Sequence, residues 1–263
     1  MTVFRLNELT TRQVDALDRD ATVLLVPLGS VEQHGWHMPL GTDTILADAV
    51  SVASCERACA GAFVLPAPWF GYSPHHMGFA GTVTLRAETF MSLVTDVVGS
   101  LVAHGFRRIV LVNGHGGNAA LVGVLSSTLG HAHRGRARIA GLTYFQLAAN
   151  EIARLRKSAP GGMGHAGEFE TAMMQHLRPE LVGDEAETVY PETGSRHLST
   201  DLLAGNRVST FLDFADLSAS GTLGDPSLAD PQAGAAYFAA CADALAGFID
   251  EFITWPVNGE QLE

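Results

Sequence analysis

The chain has 263 residues, 47 % apolar and 17 % charged, and its 16 Lys and Arg against 28 Asp and Glu give a net charge of −12. So much apolar and so little charged sequence excludes a disordered chain. The acidic balance excludes nucleic acid as the main partner, because phosphate binding needs basic surface. The length is read as a single domain over 1–263, large enough to bury roughly three quarters of its unfolded surface.

Apolar runs alternate with helical stretches along the chain. ATVLLVPLGS (21–30) reads as a strand entering a loop, and DTILADAVSVASCERACA (43–60) as a helix. GAFVLPAP (61–68) reads as a second strand and the alternating GTVTL (81–85) as a third. The stripe Phe90, Leu93, Val97, Leu101 predicts a helix that stops at Gly105. RRIVLVNGHGGN (107–118) is a strand running into glycine, 119–133 is helical, and 136–145 contains another strand. Helices are expected over 167–177 and 231–253, the second opening on Pro231. Short strands alternating with helices imply an α/β fold: a three-layer α-β-α sandwich around a mainly parallel sheet. The polar, Gly- and Pro-rich stretch 184–230 reads as a long functional loop or interface arm.

No apolar run is long enough to cross a bilayer, so no membrane partner is expected. The N-terminus lacks a basic segment followed by an apolar one, which argues against a secretory signal. Cys55, Cys59 and Cys241 are too few and scattered for a disulfide framework. Together these predict a reducing, cytoplasmic setting.

Parallel sheets place ligands beyond the carboxyl ends of their strands, and the polar clusters fall there. After the first strand comes GSVEQHGWHMPLGTDT, with Glu32 and His34 two apart and Asp43 opening a helix. After 107–112 comes NGHGGN, with His115 between glycines. Glu, His, Asp and His are hard or borderline ligands that suit Zn²⁺, Mn²⁺ or Fe²⁺ with an open position. A third cluster, GGMGHAGEFETAMM (161–174), holds His165 before a helix that carries Glu168 and Glu170 in its first turns.

These three motifs, in this order, resemble the signatures of the creatininase family of metal-dependent amidohydrolases. The likeness runs from Ala21 to GTLGDP at 221–226 and includes FAGTVTL at 79–85. It implies two divalent metal ions bridged by water and Asp43, with Glu32 and His115 completing one ion and His34 serving the other. Creatininase supplies its second metal with a Glu two residues after the NGH histidine, where this chain has Gly117. Glu170, matching the Glu of HAGxxET, is the candidate replacement, and Glu168 a weaker one. SPHHMGF (73–79), with His75 and His76, is expected to line the pocket, and Trp36 and Trp69 to close it; Trp36 and His37 also flank the first motif. His104, His131, His133, His176 and His197 have no motif around them.

The resemblance implies hydrolysis of a C–N bond in a small amide or cyclic amide. A hydroxide bridging the metals would attack the carbonyl, and His165 would carry the proton to the leaving nitrogen. Glu168 is carried as a further catalytic candidate. Backbone N–H groups around Gly116 and Gly117 would hold an anionic group. Relatives with other substrates include deformylases, a peptidase of a small modified peptide and sugar-ring hydrolases; a non-catalytic metal-binding protein is a third alternative. Creatinine-specific members place a Tyr after the NGH histidine and Trp residues near HAGxxET. Here Gly116 and a Trp-free 145–169 predict a wider, more polar pocket and poor creatinine turnover. A homo-oligomer, specifically a hexamer, acting on a small-molecule substrate completes the expectation.

Overall fold

A computed structural model describes residues 4–205 and 208–257. Four strands, β1 (Thr22–Leu28), β2 (Gly61–Val64), β3 (Arg108–Asn113) and β4 (Arg138–Thr143), form one sheet in the order β2-β1-β3-β4. All three pairings are parallel. The α-helices are α1 (Thr11–Asp15), α2 (Thr42–Arg57), α3 (Ala87–Ala103), α4 (Ala119–Ala132), α5 (Tyr144–Leu147), α6 (Ala149–Leu155), α7 (Glu168–Leu177) and α8 (Pro231–Phe252).

The expected three layers are present. Every residue of β1 is buried, as a central parallel strand covered on both faces must be. Val23 and Leu25 join Val110 and Val112 in a core with α2, α7 and α8. Leu24, Val26 and Leu28 point the other way, to Ile109, Leu111, and the stripes of α3 and α4. On α3 the buried stripe is Phe90, Val94, Val98 and Leu101, one position off the sequence reading at two places.

α8 is long and apolar enough by composition to cross a membrane. Its Tyr237, Cys241, Leu245, Ile249 and Phe252 recur at helical spacing and are buried in the core of this fold. Asp230 caps it by accepting from the Ala233 backbone N–H at 2.8 Å.

One expected strand is corrected. The segment 81–85 makes a lone antiparallel bridge, Val31 to Val83, instead of a strand. Alternation made the segment look strand-like, but its neighbour is the loop after β1, which offers one pairing position. Among its described residues, the stretch 184–230 carries only short 3₁₀ turns, at Phe214–Asp216 and Pro226–Leu228, and a bridge from Val189 to Gly224.

Candidate metal centre

From β1 the chain moves outward to β2, then returns to β3 on the other flank of β1. The strand order therefore reverses between β1 and β3, and the loops leaving their carboxyl ends part to form a crevice. Glu32 and His34 stand in the first loop, where the Glu32 N–H donates to the Leu40 carbonyl at 2.9 Å. His115 stands in the second. The Asn113 side chain pins its backbone from both sides: Oδ1 accepts from the His115 N–H at 3.1 Å and Nδ2 donates to the His115 carbonyl at 2.7 Å. Asp43 enters from the first turn of α2 and Glu170 from the first turn of α7. Ahead of α7, Ala166 takes φ 52°, a conformation costly for a residue with a Cβ. That turn aims the Ala166 N–H at Glu170 Oε2, 2.6 Å away.

The side chains converge in three interlocked groups, all buried: Glu32, Asp43, His115; His34, Asp43, Glu170; and Glu32, His34, His165. His34 Nε2 lies 3.1 Å from Asp43 Oδ1, and His115 Nδ1 lies 3.1 Å from Asp43 Oδ2 and 3.2 Å from Glu32 Oε1. Backbone carbonyls orient the rings. His34 Nδ1 faces the Glu32 carbonyl at 3.1 Å, His115 Nε2 the Tyr72 carbonyl at 3.1 Å, and His165 Nε2 the Gln33 carbonyl at 2.6 Å. A carbonyl only accepts, so each of these nitrogens carries a proton. The opposite nitrogen of each ring is directed at the carboxylates, as in a metal-binding histidine held from behind.

Charge and burial pull against each other here. Burial lowers the His34 pKa, but Asp43, Glu170 and Glu32 outweigh it and raise it to about 9. His115 is likewise raised despite burial, by Glu32 and Asp43. Burial together with the charges of Asp43 and Glu32 lifts Glu170 to about 7, although His34 and the Ala166 N–H oppose this. His165 is held well below its ordinary value by burial and by His34.

The donor set fits divalent ions. Donors each about 2.1 Å from one ion lie roughly 3.0–3.4 Å apart, which is the spacing of His115 to Glu32 and of Asp43 to both histidines. Both Glu32 oxygens and Asp43 Oδ2 are buried without a hydrogen-bond partner. Orphaned carboxylate oxygens are costly unless a cation takes them. Asp43 belongs to two groups through two different oxygens, as a bridging carboxylate does.

A profile of the family described as "Creatininase: Creatinine amidohydrolase" matches residues 7–249. The chain belongs to the creatininase family. Family members are metal-dependent amidohydrolases, and this chain is one of them. A mycofactocin precursor peptide peptidase of Mycobacterium tuberculosis is 34 % identical over 244 residues, 90 % of this chain and 88 % of that protein. A solved structure titled "Creatininase Mn" superposes with a TM-score of 0.79 at 29 % identity, covering 95 % of this chain and 99 % of that one. A mutant creatininase of "Zn-Zn type" gives 0.80 at 29 % identity, covering 96 % and 99 %.

The structure brings Glu32, His34, Asp43, His115, His165 and Glu170 together. Glu168 stays outside all three groups. Its carboxylate accepts from the Lys157 and Ser158 N–H groups at 2.9 and 2.7 Å and from the Tyr237 hydroxyl at 2.5 Å. Two residues before Glu170 on a helix, Glu168 stands about 200° round the axis from it and faces away. At Gly117 a Cβ would stand 2.4 Å from both the His115 Nε2 and the Tyr72 carbonyl. The backbone here is too crowded for a side chain at Gly117, and Glu170 approaches His34 and Asp43 from α7.

A cavity of about 570 Å³ opens onto the centre. His75 and His76 line it as expected, along with Gly116 and Gly117. Trp36 and Trp69 do not: Trp69 borders a separate pocket, and the wall is built by Phe145, Phe211 and Phe214. The last two come from the stretch 184–230, which folds over the site. Sequence reading also missed Gln33, whose backbone carbonyl meets His165 Nε2, and Ser73, whose Oγ lies 3.1 Å from His115 Nε2. His37 donates or accepts at Thr171 Oγ1, 2.9 Å away, outside the cavity.

Proposed function

We propose that the protein hydrolyses an amide bond in a substrate of short-peptide or acyl-amide size, using two divalent ions. One ion would be held by Glu32, Asp43 and His115, the other by His34, Asp43 and Glu170. The observation that carries this reading is the pair of donor groups sharing the Asp43 carboxylate. Bound there, such ions lower the pKa of water towards neutrality and polarise a carbonyl oxygen.

The chain's own residues supply the rest. His165 keeps its Nε2–H on the Gln33 carbonyl, which leaves Nδ1 free on the cavity side to take a proton and pass it to the leaving nitrogen. Phe145, Phe211 and Phe214 exclude water and give apolar groups a surface to pack on. The Gly116 and Gly117 backbone, ahead of α4, offers N–H donors to an anionic substrate group.

A cavity near 570 Å³ has the size of pockets that take drug-sized ligands, far more than a flat five-membered ring fills. Two supports favour a peptide-like substrate over creatinine: this volume and the 34 % identity to a peptide peptidase. The test is a panel of short peptides, acyl amides, formamides and creatinine, each with Zn²⁺ or Mn²⁺ and with chelator. Metal-dependent release of amine from a peptide or acyl amide is expected. Turnover of creatinine alone would overturn the substrate, and full activity after complete metal removal would overturn the mechanism.

We further propose a homo-oligomer, a hexamer, working in the cytoplasm. Exposed Trp36, Leu40, Trp69, Phe70 and Val83 support self-association, and three free thiols support a reducing setting. A monomer by light scattering at micromolar concentration overturns the assembly.

A further inference from the structure

His76 stands as near the centre as its histidine neighbours. Its Nε2 lies 3.1 Å from Glu32 Oε1, against 3.2 Å for His115 Nδ1. Distance alone makes it one more metal ligand. The other side of the ring says otherwise. His76 Nδ1 lies 2.8 Å from the Gln33 side-chain amide, and two backbone groups determine which way that amide faces. The Gly35 N–H, which only donates, lies 2.8 Å from one amide atom, so that atom is the oxygen. The Gly221 carbonyl, which only accepts, lies 3.2 Å from the other, so that atom is the NH₂. It is this NH₂ that meets His76 Nδ1. Gly35 and Gly221 present these groups from backbones at φ 64° and 82°, conformations that glycine adopts without strain.

An NH₂ group has no lone pair to accept with, so His76 Nδ1 must be the acceptor and Nε2 must carry the proton. His34, His115 and His165 are held by carbonyls and turn to the centre the nitrogen that must be free of a proton to bind an ion; His76 is held by a donor and turns an N–H to it. We infer that His76 is a positioning residue, an N–H donor placed beside the Glu32 carboxylate, and that Gln33 sets its tautomer. Neither Glu32 oxygen has a hydrogen-bond partner among the described residues, so the His76 N–H acts on Oε1, 3.1 Å from Nε2, through its charge distribution and not through an aligned hydrogen bond. An N–H beside Oε1 opposes rotation of the carboxylate and so keeps Oε1 at its 3.2 Å spacing from His115 Nδ1. Phe214 packs on the His76 ring with centroids 4.4 Å apart and holds its plane. The inference rests on the two-metal reading for what Glu32 holds, but the tautomer belongs to the chain itself.

The test uses the full chain, with imidazole ¹⁵N spectra read before and after Zn²⁺ is added. The His76 signals should show a protonated Nε2 and an unprotonated Nδ1 in both states. Loss of the Nε2 proton on zinc addition, or a proton on Nδ1, overturns the inference. Zinc affinity by chelator competition gives a second arm. His76→Ala should keep the wild-type zinc content with affinity about 10–100-fold weaker, the usual cost of losing a group behind a ligand. His76→Gln, which returns an N–H near the same place, should recover most of it. If both variants lose one zinc, His76 is a ligand; if His76→Ala binds as wild type, His76 has no positioning role. Failure of the wild-type chain to bind zinc at all would sink the two-metal reading instead, while the metal-free spectra still decide the tautomer.

Discussion

Asp43 meets His34 with one carboxylate oxygen and His115 with the other, at 3.1 Å in both cases. These histidines come from the loops after β1 and β3, so one side chain on α2 ties together the two edges of the crevice. Replacing Asp43 by Ala should therefore abolish binding of both ions. Glu32→Ala, in contrast, should remove mainly the ion it shares with His115. Elemental analysis of each purified variant checks this, and full metal content in Asp43→Ala would show that the bridge is misassigned.

Metal uptake should release protons and strengthen as pH rises through about 7 and towards 9. Glu170, raised to about 7, and His34, raised to about 9, must both lose a proton to serve as ligands. For the metal-free chain the sign is opposite. A raised folded pKa contributes stability below the unfolded value and loses it as pH climbs through the folded one. Between pH 6.5 and 9, where the histidines held low are already neutral, the melting temperature of chelated protein should fall. Calorimetry in buffers of different ionisation enthalpy counts the protons; a melting temperature that rises over this interval would contradict the assignment.

His165→Ala should reduce turnover by about 10²–10⁴-fold while metal content stays at the wild-type level. Its Nε2 is committed to the Gln33 carbonyl at 2.6 Å, and its Nδ1 sits 3.8 Å from Glu32 Oε1, further than the paired ligands sit from each other. Loss of an ion in this variant would instead make His165 a ligand.

Tyr237→Phe should cost roughly 1–3 kcal/mol of stability, because the buried Glu168 carboxylate loses its hydroxyl donor. Metal content and turnover per folded molecule should not change. Denaturant titration reads the first, and a fall in specific activity without a fall in stability would return Glu168 to the chemistry.

Gly117→Ala should destabilise the fold by roughly 1–3 kcal/mol and weaken the ion shared by Glu32 and His115. The added methyl would press on His115 Nε2 and the Tyr72 carbonyl, each 2.4 Å away and one of them immovable backbone. Unchanged stability and zinc affinity would mean that the turn relaxes freely.

Much of this was legible in the order of residues. Continuous apolar runs such as Val23 to Leu28 announce strands buried on both faces, and helical spacing along 87–103 announces a covering helix, because local periodicity follows directly from backbone geometry. The candidates Glu32, His34, Asp43 and His115 were legible for a different reason: taken singly each reads as a polar loop or helix-start residue, but together they form a set of hard and borderline ligands within motifs that resemble the creatininase signatures. The alternation at 81–85 misled, since pairing is decided by the neighbour and not by the strand itself.

Alone, the sequence determined the layer order, the parallel sheet and the candidate side chains for a metal centre, all of which depend on local pattern or on motifs of a few residues. Tertiary structure decided which of two glutamates lies with the clustered side chains. Glu168 and Glu170 are two residues apart on one helix, and only the packing of α7 between the Lys157–Ser158 backbone and the crevice sends one to each. It also decided that Phe211 and Phe214 wall the cavity in place of Trp36 and Trp69, and that the ring of His76 is held from behind by the Gln33 amide where its neighbours are held by backbone carbonyls. Those choices depend on atoms brought together from distant parts of the chain, and no local spacing encodes them.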